Sequence, residues 1–253
     1  MAEIKIRECA TIREFDASIK LQREVFGLPD LEISPRRHLI VSRQAGGWTL
    51  GAFAEDRLVG FVHHLVALQG DEVAGYSHMM AVAADYQNKG LGAQLKWAQR
   101  ERALTEGRKF IKWTWEPMRA RNAHFNLNRL GAIVEAYAEN FYGTDYLPDQ
   151  VGQGEAARGI DSDRLFASWH LGGDRVAELA QGRQPRSWGP PAQTIEIPSD
   201  WVAMLREDVN LARRELLRVR EEFKQAFAAG LVCAGFDREP AQPRYLLFDR
   251  RQL

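Results

Sequence analysis

The chain has no surplus of either charge: 34 Lys and Arg balance 34 Asp and Glu, for a formal net charge of zero. A protein made chiefly to grip nucleic acid carries a basic excess, so no nucleic-acid partner is expected. Cysteine is scarce, with Cys9 and Cys233 far apart and neither in a Cys-x-x-Cys pair or a His-rich stretch. That excludes a disulfide framework and gives no reason to expect a metal; both read as reduced thiols. No run of about 18 consecutive apolar residues occurs, so no membrane partner is expected. Met1–Ile6 has no basic stretch leading into an apolar one, so no secretory leader is expected and the cytoplasm is the default compartment. Internal repeats at a solenoid period are missing too.

What remains is ordinary globular material: 253 residues, 45% hydrophobic and 27% charged, enough for one large domain or two small ones. Ile4 and Ile6 alternate with Lys5 and Arg7, predicting a short strand. Thr11 predicts the N-cap of a helix running to Phe26 and stopped by Gly27-Leu28-Pro29. A loop with Pro35, Arg36, Arg37 and His38 follows. Strands are expected at Trp48–Ala54, Leu58–Leu68 and Tyr76–Val82, the first two as a hairpin. Leu91, Leu95, Ala98, Arg102 and Ala103 then fall at helical spacing, and Gly107 ends that helix. Phe110–Trp115 reads as a strand, Asn122–Leu130 as a short helix stopped by Gly131, and Ile133–Phe141 and Leu165–Leu171 as strands. Residues 143–161 read as a long loop, either a lid or a spacer.

Gly182, Pro185, Gly189, Pro190 and Pro191 mark residues 182–192 as a linker. Beyond it the pattern predicts a strand at Thr194–Ile197, one long helix over Ser199–Ala229, and strands at Leu231–Phe236 and Tyr245–Phe248. Trp201, Leu205, Val209, Ala212, Leu216, Val219, Phe223 and Phe227 step along that helix as one apolar stripe. The expected division is therefore a domain at 1–181, a linker at 182–192 and an α+β extension at 193–253. The extension packs on the first domain or, in a homodimer, on a second copy.

The informative stretch is Met80-Ala81-Val82, a short turn, and then Gln87-Asn88-Lys89-Gly90-Leu91-Gly92 opening a helix. Amides at a helix N-terminus lack internal partners, and the helix dipole places partial positive charge there. Gly90 and Gly92 let the backbone approach an anion closely, and Lys89 adds a charge. A Gly-x-Gly by itself also fits a softened turn before an ordinary helix. A P-loop would need a Gly-Lys-Ser/Thr four residues after its first Gly, which is missing, and a dinucleotide fingerprint fails because position 95 is Leu.

The stretch resembles the signature of the GNAT acyltransferases, a strand ending in Val followed after about four residues by Gln/Arg-x-x-Gly-x-Gly/Ala. The order of elements over residues 1–171 is similar as well. The resemblance implies an α+β fold, a mixed and mostly antiparallel sheet flanked by helices, here with a C-terminal α+β extension. It implies acyl-coenzyme A as co-substrate, with acetyl and succinyl both open, and no metal. Backbone atoms at Met80, Ala81 and Val82 would take the pantetheine arm as an added strand. The amides from Lys89 to Ala93, with Gln87 and Asn88 leading in, would hold the pyrophosphate. Asn122 resembles the Asn that begins the family's second cofactor segment, and Asn126 is counted with it.

Acyl transfer to an amine needs a base for the amine, polarisation of the thioester carbonyl and a proton for the leaving thiolate. Tyr76, His78, Met80 and Val82 alternate along one strand, which puts them on one face. His78, four residues before Val82, occupies a place where many members of the family carry a Glu or His base; the alternative is a strand histidine satisfied by its neighbours. Glu116, at the end of Phe110–Trp115, is a second candidate for base or ammonium binding, and Tyr76 completes the catalytic set. His63 and His64 point to opposite faces of the hairpin and read as structural. Arg119 and Arg121 are candidates for a substrate or acyl carboxylate.

One departure from the family pattern concerns the acid: Leu127 stands where a Tyr is usual, four residues before Gly131. Tyr137, Tyr142 or solvent are the remaining sources of that proton. Neither cysteine lies near the expected site, which favours direct attack over a covalent acyl-enzyme. The segment from Asn122 to Gly131, with Ser162-Asp163-Arg164 after it, looks like a longer subgroup of the family, some of whose members acylate amino acids. The leading expectation is an N-acyltransferase acting on a primary amine of a small molecule, an amino acid among the options. The alternative is a catalytically inactive CoA-binding or scaffold protein of the same fold, supported by Leu127 and by the apolar stripe.

Overall fold

The structure is a computed structural model that describes residues 3–144 and 159–253. Most of the loop expected at 143–161 lies outside the described residues. The chain divides into two compact units, and among the described residues the division falls between Lys112 and Trp113, inside one strand. The expected linker at 182–192 carries no helix or strand, but residues 193–253 belong to the same unit as residues 113–144.

In the first unit β1 (Ile4–Glu8), β2 (Trp48–Ala54), β3 (Arg57–Gln69) and β4 (Glu72–Val82) form a consecutive antiparallel meander, and β5 (Phe110–Trp115) joins β4 in parallel. Helices α1 (Ile12–Phe26) and α2 (Arg36–Gln44) pack on one face of β2–β4, and α3 (Leu91–Thr105) packs on the other. The start of α1 follows from its sequence: Thr11 Oγ1 accepts from Glu14 N while the Glu14 carboxylate accepts from the amides of Thr11 and Ala10. Gly27, at φ 60°, closes it. Helix α2 corrects the loop expected around Pro35–His38. Pro35 serves as its N-cap, and Leu39 and Ser42 are the residues it buries. Proline is compatible with a helix start, where no N–H is needed.

In the second unit β6 (Ile133–Ala138), β7 (Arg164–His170), β8 (Gln193–Glu196), β9 (Leu231–Asp237) and β10 (Arg244–Asp249) run antiparallel in the order β7-β6-β9-β10-β8. The short helix expected at Asn122–Leu130 is α4 (Ala120–Ala123) passing into a π-helical turn, His124–Arg129. Helix α5 (Asp174–Ala180) was not expected; only Val176 of it is buried, too little to mark an apolar face. The single long helix over Ser199–Ala229 is corrected to α6 (Trp201–Glu207) and α7 (Val209–Ala228). Asp208 breaks them: its backbone is extended at φ −148° and ψ 91°, and its carboxylate caps Leu211 N at 2.9 Å.

The stripe survives the break because its four-residue step from Leu205 to Val209 spans it. Trp201, Leu205, Ala212, Leu216, Val219 and Phe223 are buried within the chain, where α7 lies on β6, β8 and β9. The extension therefore packs in cis. No helix among the described residues is long and apolar enough to cross a membrane.

Candidate active site

The centre of the first unit's site is a bulge in β4. On β3, His63 pairs with Met79, and its neighbour His64 pairs with Ser77, so His78 is the extra residue of the bulge. The bulge inverts the alternation. Tyr76, opposite Leu65, shares the face of His63, whereas Met80 and Val82, opposite Val62 and Gly60, face α3. The expectation that Tyr76, His78, Met80 and Val82 share one face is corrected accordingly: an inserted residue shifts a period-two pattern by one.

Both faces pin the bulge. On the α3 side Lys96 Nζ donates to Ser77 Oγ at 3.0 Å and to Gln99 Oε1 at 2.8 Å. Burial pushes the Lys96 ammonium well below its usual range. Gln99 reaches His64, which stacks on Trp48 and contacts Arg108. On the α1–α2 side, His78 Nε2 lies 3.2 Å from Ser34 Oγ, and its ring sits 5.7 Å from that of His38 and 6.0 Å from that of His63.

The histidines differ in what their nitrogens can do. Ser42 Oγ donates its proton to the Leu39 carbonyl, so it accepts from His63 Nε2 at 3.2 Å; Thr49 Oγ1 lies 2.8 Å from His63 Nδ1. His63 is thus satisfied at both nitrogens, and burial first, then the neighbouring rings of His78 and His38, bring it down to about 3. His64 is brought down to about 2, by burial and then by Arg108. Both are structural, as the sequence suggested. His78 is also lowered, by burial and then by His38, and so stays neutral and able to accept a proton at neutral pH. His38, which sequence reasoning placed in a loop, brings a buried Nε2 with no hydrogen-bond partner among the described residues. Only the unrecognised α2 would have revealed it. A concavity of about 340 Å³ on this unit is walled by Asp16, Arg23, Ile33, Pro35, Arg36 and Arg37; Ser34, His38 and His78 do not line it.

Past β4 the chain turns through Ala84–Tyr86 into the glycine loop. Gln87 Nε2 donates to Val82 O at 2.9 Å and Lys89 Nζ to Asp85 O at 2.7 Å, tying the loop to the strand it leaves. Asn88 and Gly90 have left-handed backbones, φ 60° and 83°. Gly90 is the N-cap of α3 and no side chain caps that helix; a Cβ at Gly90 would meet nothing within 4 Å. The amides of Ala93 and Gln94 return to Gly90 O, so the outward donors are those of Leu91 and Gly92. Beside this loop, the ladder from β4 to β5 is confined to Gly75 with Ile111 and Tyr76 with Lys112 among the described residues. The backbone of β4 from Ser77 onward is therefore an open edge. An uncapped helix start and a free strand edge fit a pyrophosphate joined to an amide-bearing arm.

In the second unit Glu116 is held at both oxygens. Trp201 Nε1 donates to Oε1 at 2.6 Å and Arg119 Nε to Oε2 at 2.9 Å. Arg119 thus spends one donor on Glu116, while Arg121 is exposed. Asn122 is exposed, and Asn126 is buried with its side-chain Oδ1 accepting from Trp113 Nε1 at 3.3 Å. Leu127 is fully buried. Tyr137 is no free acid: its hydroxyl donates to Asp163 at 2.6 Å, and burial and that carboxylate push it well above its usual range. Cys9 and Cys233 are buried free thiols; burial pushes Cys9 up to about 12 and Cys233 higher still. Among the described residues no group of three or more His, Cys, Asp or Glu is arranged to hold a metal.

A mostly antiparallel sheet flanked by helices, with a bulged fourth strand and an uncapped helix after a glycine turn, defines a GNAT-like α+β fold. Residues 13–131, just under half of the chain, match the acetyltransferase (GNAT) family. Solved structures share the fold. One is described as an acetyltransferase of the GNAT family from Desulfovibrio desulfuricans, at 17% identity and TM-score 0.53 over 67% of this chain and 99% of that one. Another is the ribosomal-protein-S18-alanine N-acetyltransferase of Escherichia coli, at 14% and 0.53 over 68% and 97%. A third is Naa50 of Arabidopsis thaliana in complex with the bisubstrate analogue CoA-Ac-MVNAL, at 14% and 0.50 over 65% and 97%. None of the curated proteins compared with the chain matches it.

Proposed function

We propose that the chain transfers an acyl group, acetyl or succinyl, from coenzyme A to a primary amine of a small molecule, with an amino acid among the candidate acceptors. The observation that carries this reading is the bulge. It turns His78 out of the strand's alternation toward Ser34 and His38, on the strand whose open edge leads into the glycine loop. Bound acyl-CoA would supply an activated thioester. The amides of Leu91 and Gly92 with Lys89 would hold its pyrophosphate, and the β4 edge at Met80–Val82 would hold the arm. Neutral His78 takes the proton from the amine, with Ser34 orienting its ring. Both thiols are buried and raised, which supports direct attack without a cysteine intermediate.

An inactive CoA-binding protein is favoured by one observation, the buried Leu127 where an acid would stand. Following thiol release from acetyl-CoA and succinyl-CoA across a panel of amino acids, polyamines and aminoglycosides separates the two. Amine-dependent release supports the transferase; CoA binding with no release under any pairing supports the inactive reading.

A further inference from the structure

We propose that Lys96 is held as an uncharged amine and, through Ser77, positions the bulge that presents His78; the catalytic half of this rests on the acyltransferase reading above. Lysines are almost never buried, because a buried ammonium is so costly that the group sheds its proton unless an anion pairs with it. Lys96 is 3% exposed. It lies on the inward face of α3 with Leu95 and Gln99, its Nζ 3.0 Å from Ser77 Oγ and 2.8 Å from the Gln99 amide.

The neighbours of Lys96 decide where its protons stand. The His64 ring is fixed by Trp48, stacked on it at 4.1 Å, and by Gly75, where a methyl group would collide with it. Its Nε2 faces Arg108, and its Nδ1 lies 3.2 Å from the Gln99 amide. A guanidinium only donates, so Nε2 accepts and the one proton of the neutral ring stands on Nδ1. With the Gln99 oxygen toward Lys96, that N–H would meet a second donor, the Gln99 NH2. A half-turn of the amide leaves every distance in place and removes the conflict. The Gln99 oxygen then accepts from His64 Nδ1, and its NH2 donates to Lys96 Nζ. An ammonium has no lone pair to receive that bond; a neutral amine has one and keeps an N–H for Ser77. Burial favours the same uncharged form. Glu106, farther along α3, is engaged by Arg102, Arg108 and Trp48 Nε1, each at 3.0 Å.

Ser77 makes this matter for the site. Among the described residues it is the first of β4 beyond the ladder to β5, and it immediately precedes the bulged His78. Lys96 therefore anchors the strand where its edge opens and the base turns out. It reaches His78 only through Ser77, which makes it a positioning residue.

The test uses the full chain, labelled with 13C and 15N and assigned through bonds. At about pH 7.5 Lys96 Nζ is expected as the amine, while exposed lysines stay ammonium to about pH 10, and the His64 proton is expected on Nδ1. In the thiol-release assay Lys96→Met should lower kcat about 10- to 100-fold with the amine KM within about twofold. Ser77→Ala should give the same loss and the double variant no more, since both break one link. The His78 ring signal should move in each variant, and Ser77→Ala carries both readouts if Lys96→Met does not fold. A Lys96 ammonium, a His64 proton on Nε2, an unmoved His78 signal, an unchanged kcat or losses that multiply in the double variant would each overturn the proposal. Failure of the acyltransferase reading is seen separately, as no thiol release from the wild-type chain; the Lys96, His64 and His78 signals then decide the proposal, since none needs turnover.

Discussion

The two units bury polar groups by opposite means. In the first, His63, His64 and His78 are kept neutral by desolvation and matched with hydroxyls and amides. In the second, Arg220 of α7 reaches Asp163 through two bonds of 2.8 Å, Asp161 at 2.6 Å and Glu139 at 3.3 Å, with Tyr137 on the same Asp163 carboxylate. A neutral imidazole can still take a proton, whereas a carboxylate locked against a guanidinium cannot. Of those three histidines His63 and His64 are structural and His78 is the proposed base, whereas in the second unit polar burial joins α7 of the extension to the strands at 133–138 and 164–170.

Four substitutions or conditions can break that contrast. The largest effect is expected at the base: His78→Ala should cut the acyl-transfer rate by about two to four orders of magnitude while CoA still binds. Full activity across pH in that variant would remove His78 from the mechanism. Next, Asp163→Ala leaves Arg220 short of its best-buried partner and should cost about 3 kcal/mol of stability, read from urea unfolding. A loss under about 1 kcal/mol would make the cluster ornamental.

The third effect is pH-dependent. Folded His63 and His64 lie far below the usual histidine value, at about 3 and about 2, so the unfolded chain binds protons first as pH falls. Their contribution is complete above about pH 6.5 and is lost as pH drops toward the folded values, at roughly 1.4 kcal/mol per histidine per pH unit. Urea midpoints at pH 7, 6 and 5 should therefore fall, whereas histidines solvated in the folded state would give a flat profile. The smallest effect is at the loop: Gly90→Ala puts a methyl into open space at φ 83° and should weaken CoA about tenfold. Unchanged CoA affinity would separate the glycine from the cradle.

The same contrast explains what the sequence could disclose. The glycine loop, the Thr11 cap and the strands of the meander were legible because each is set by residues adjacent in the chain. The bulge was not: an inserted residue is invisible until the register between His63 and Met79 is known, which is why the shared face of His78 and Met80 was misread. His38 was hidden by two prolines that suggested loop and in fact preceded α2. The break at Asp208 left the apolar stripe unchanged, so periodicity alone carried one helix across it. Trp201 read as one more core residue, because its hydrogen bond to Glu116 joins positions 85 residues apart.

The central claim is that the loop at Gln87–Gly92 and the edge of β4 receive an acyl-CoA. It is tested most directly by the thermal unfolding of the full chain with CoA, acetyl-CoA and succinyl-CoA. At about one hundred times the dissociation constant, a ligand that binds only the folded chain adds about 2.7 kcal/mol. For a chain of this size that predicts a rise of about 5–10 °C with at least one of the three, and a smaller one in Gly90→Ala at equal concentration. No rise with any of them, in a sample that unfolds cooperatively, would contradict it.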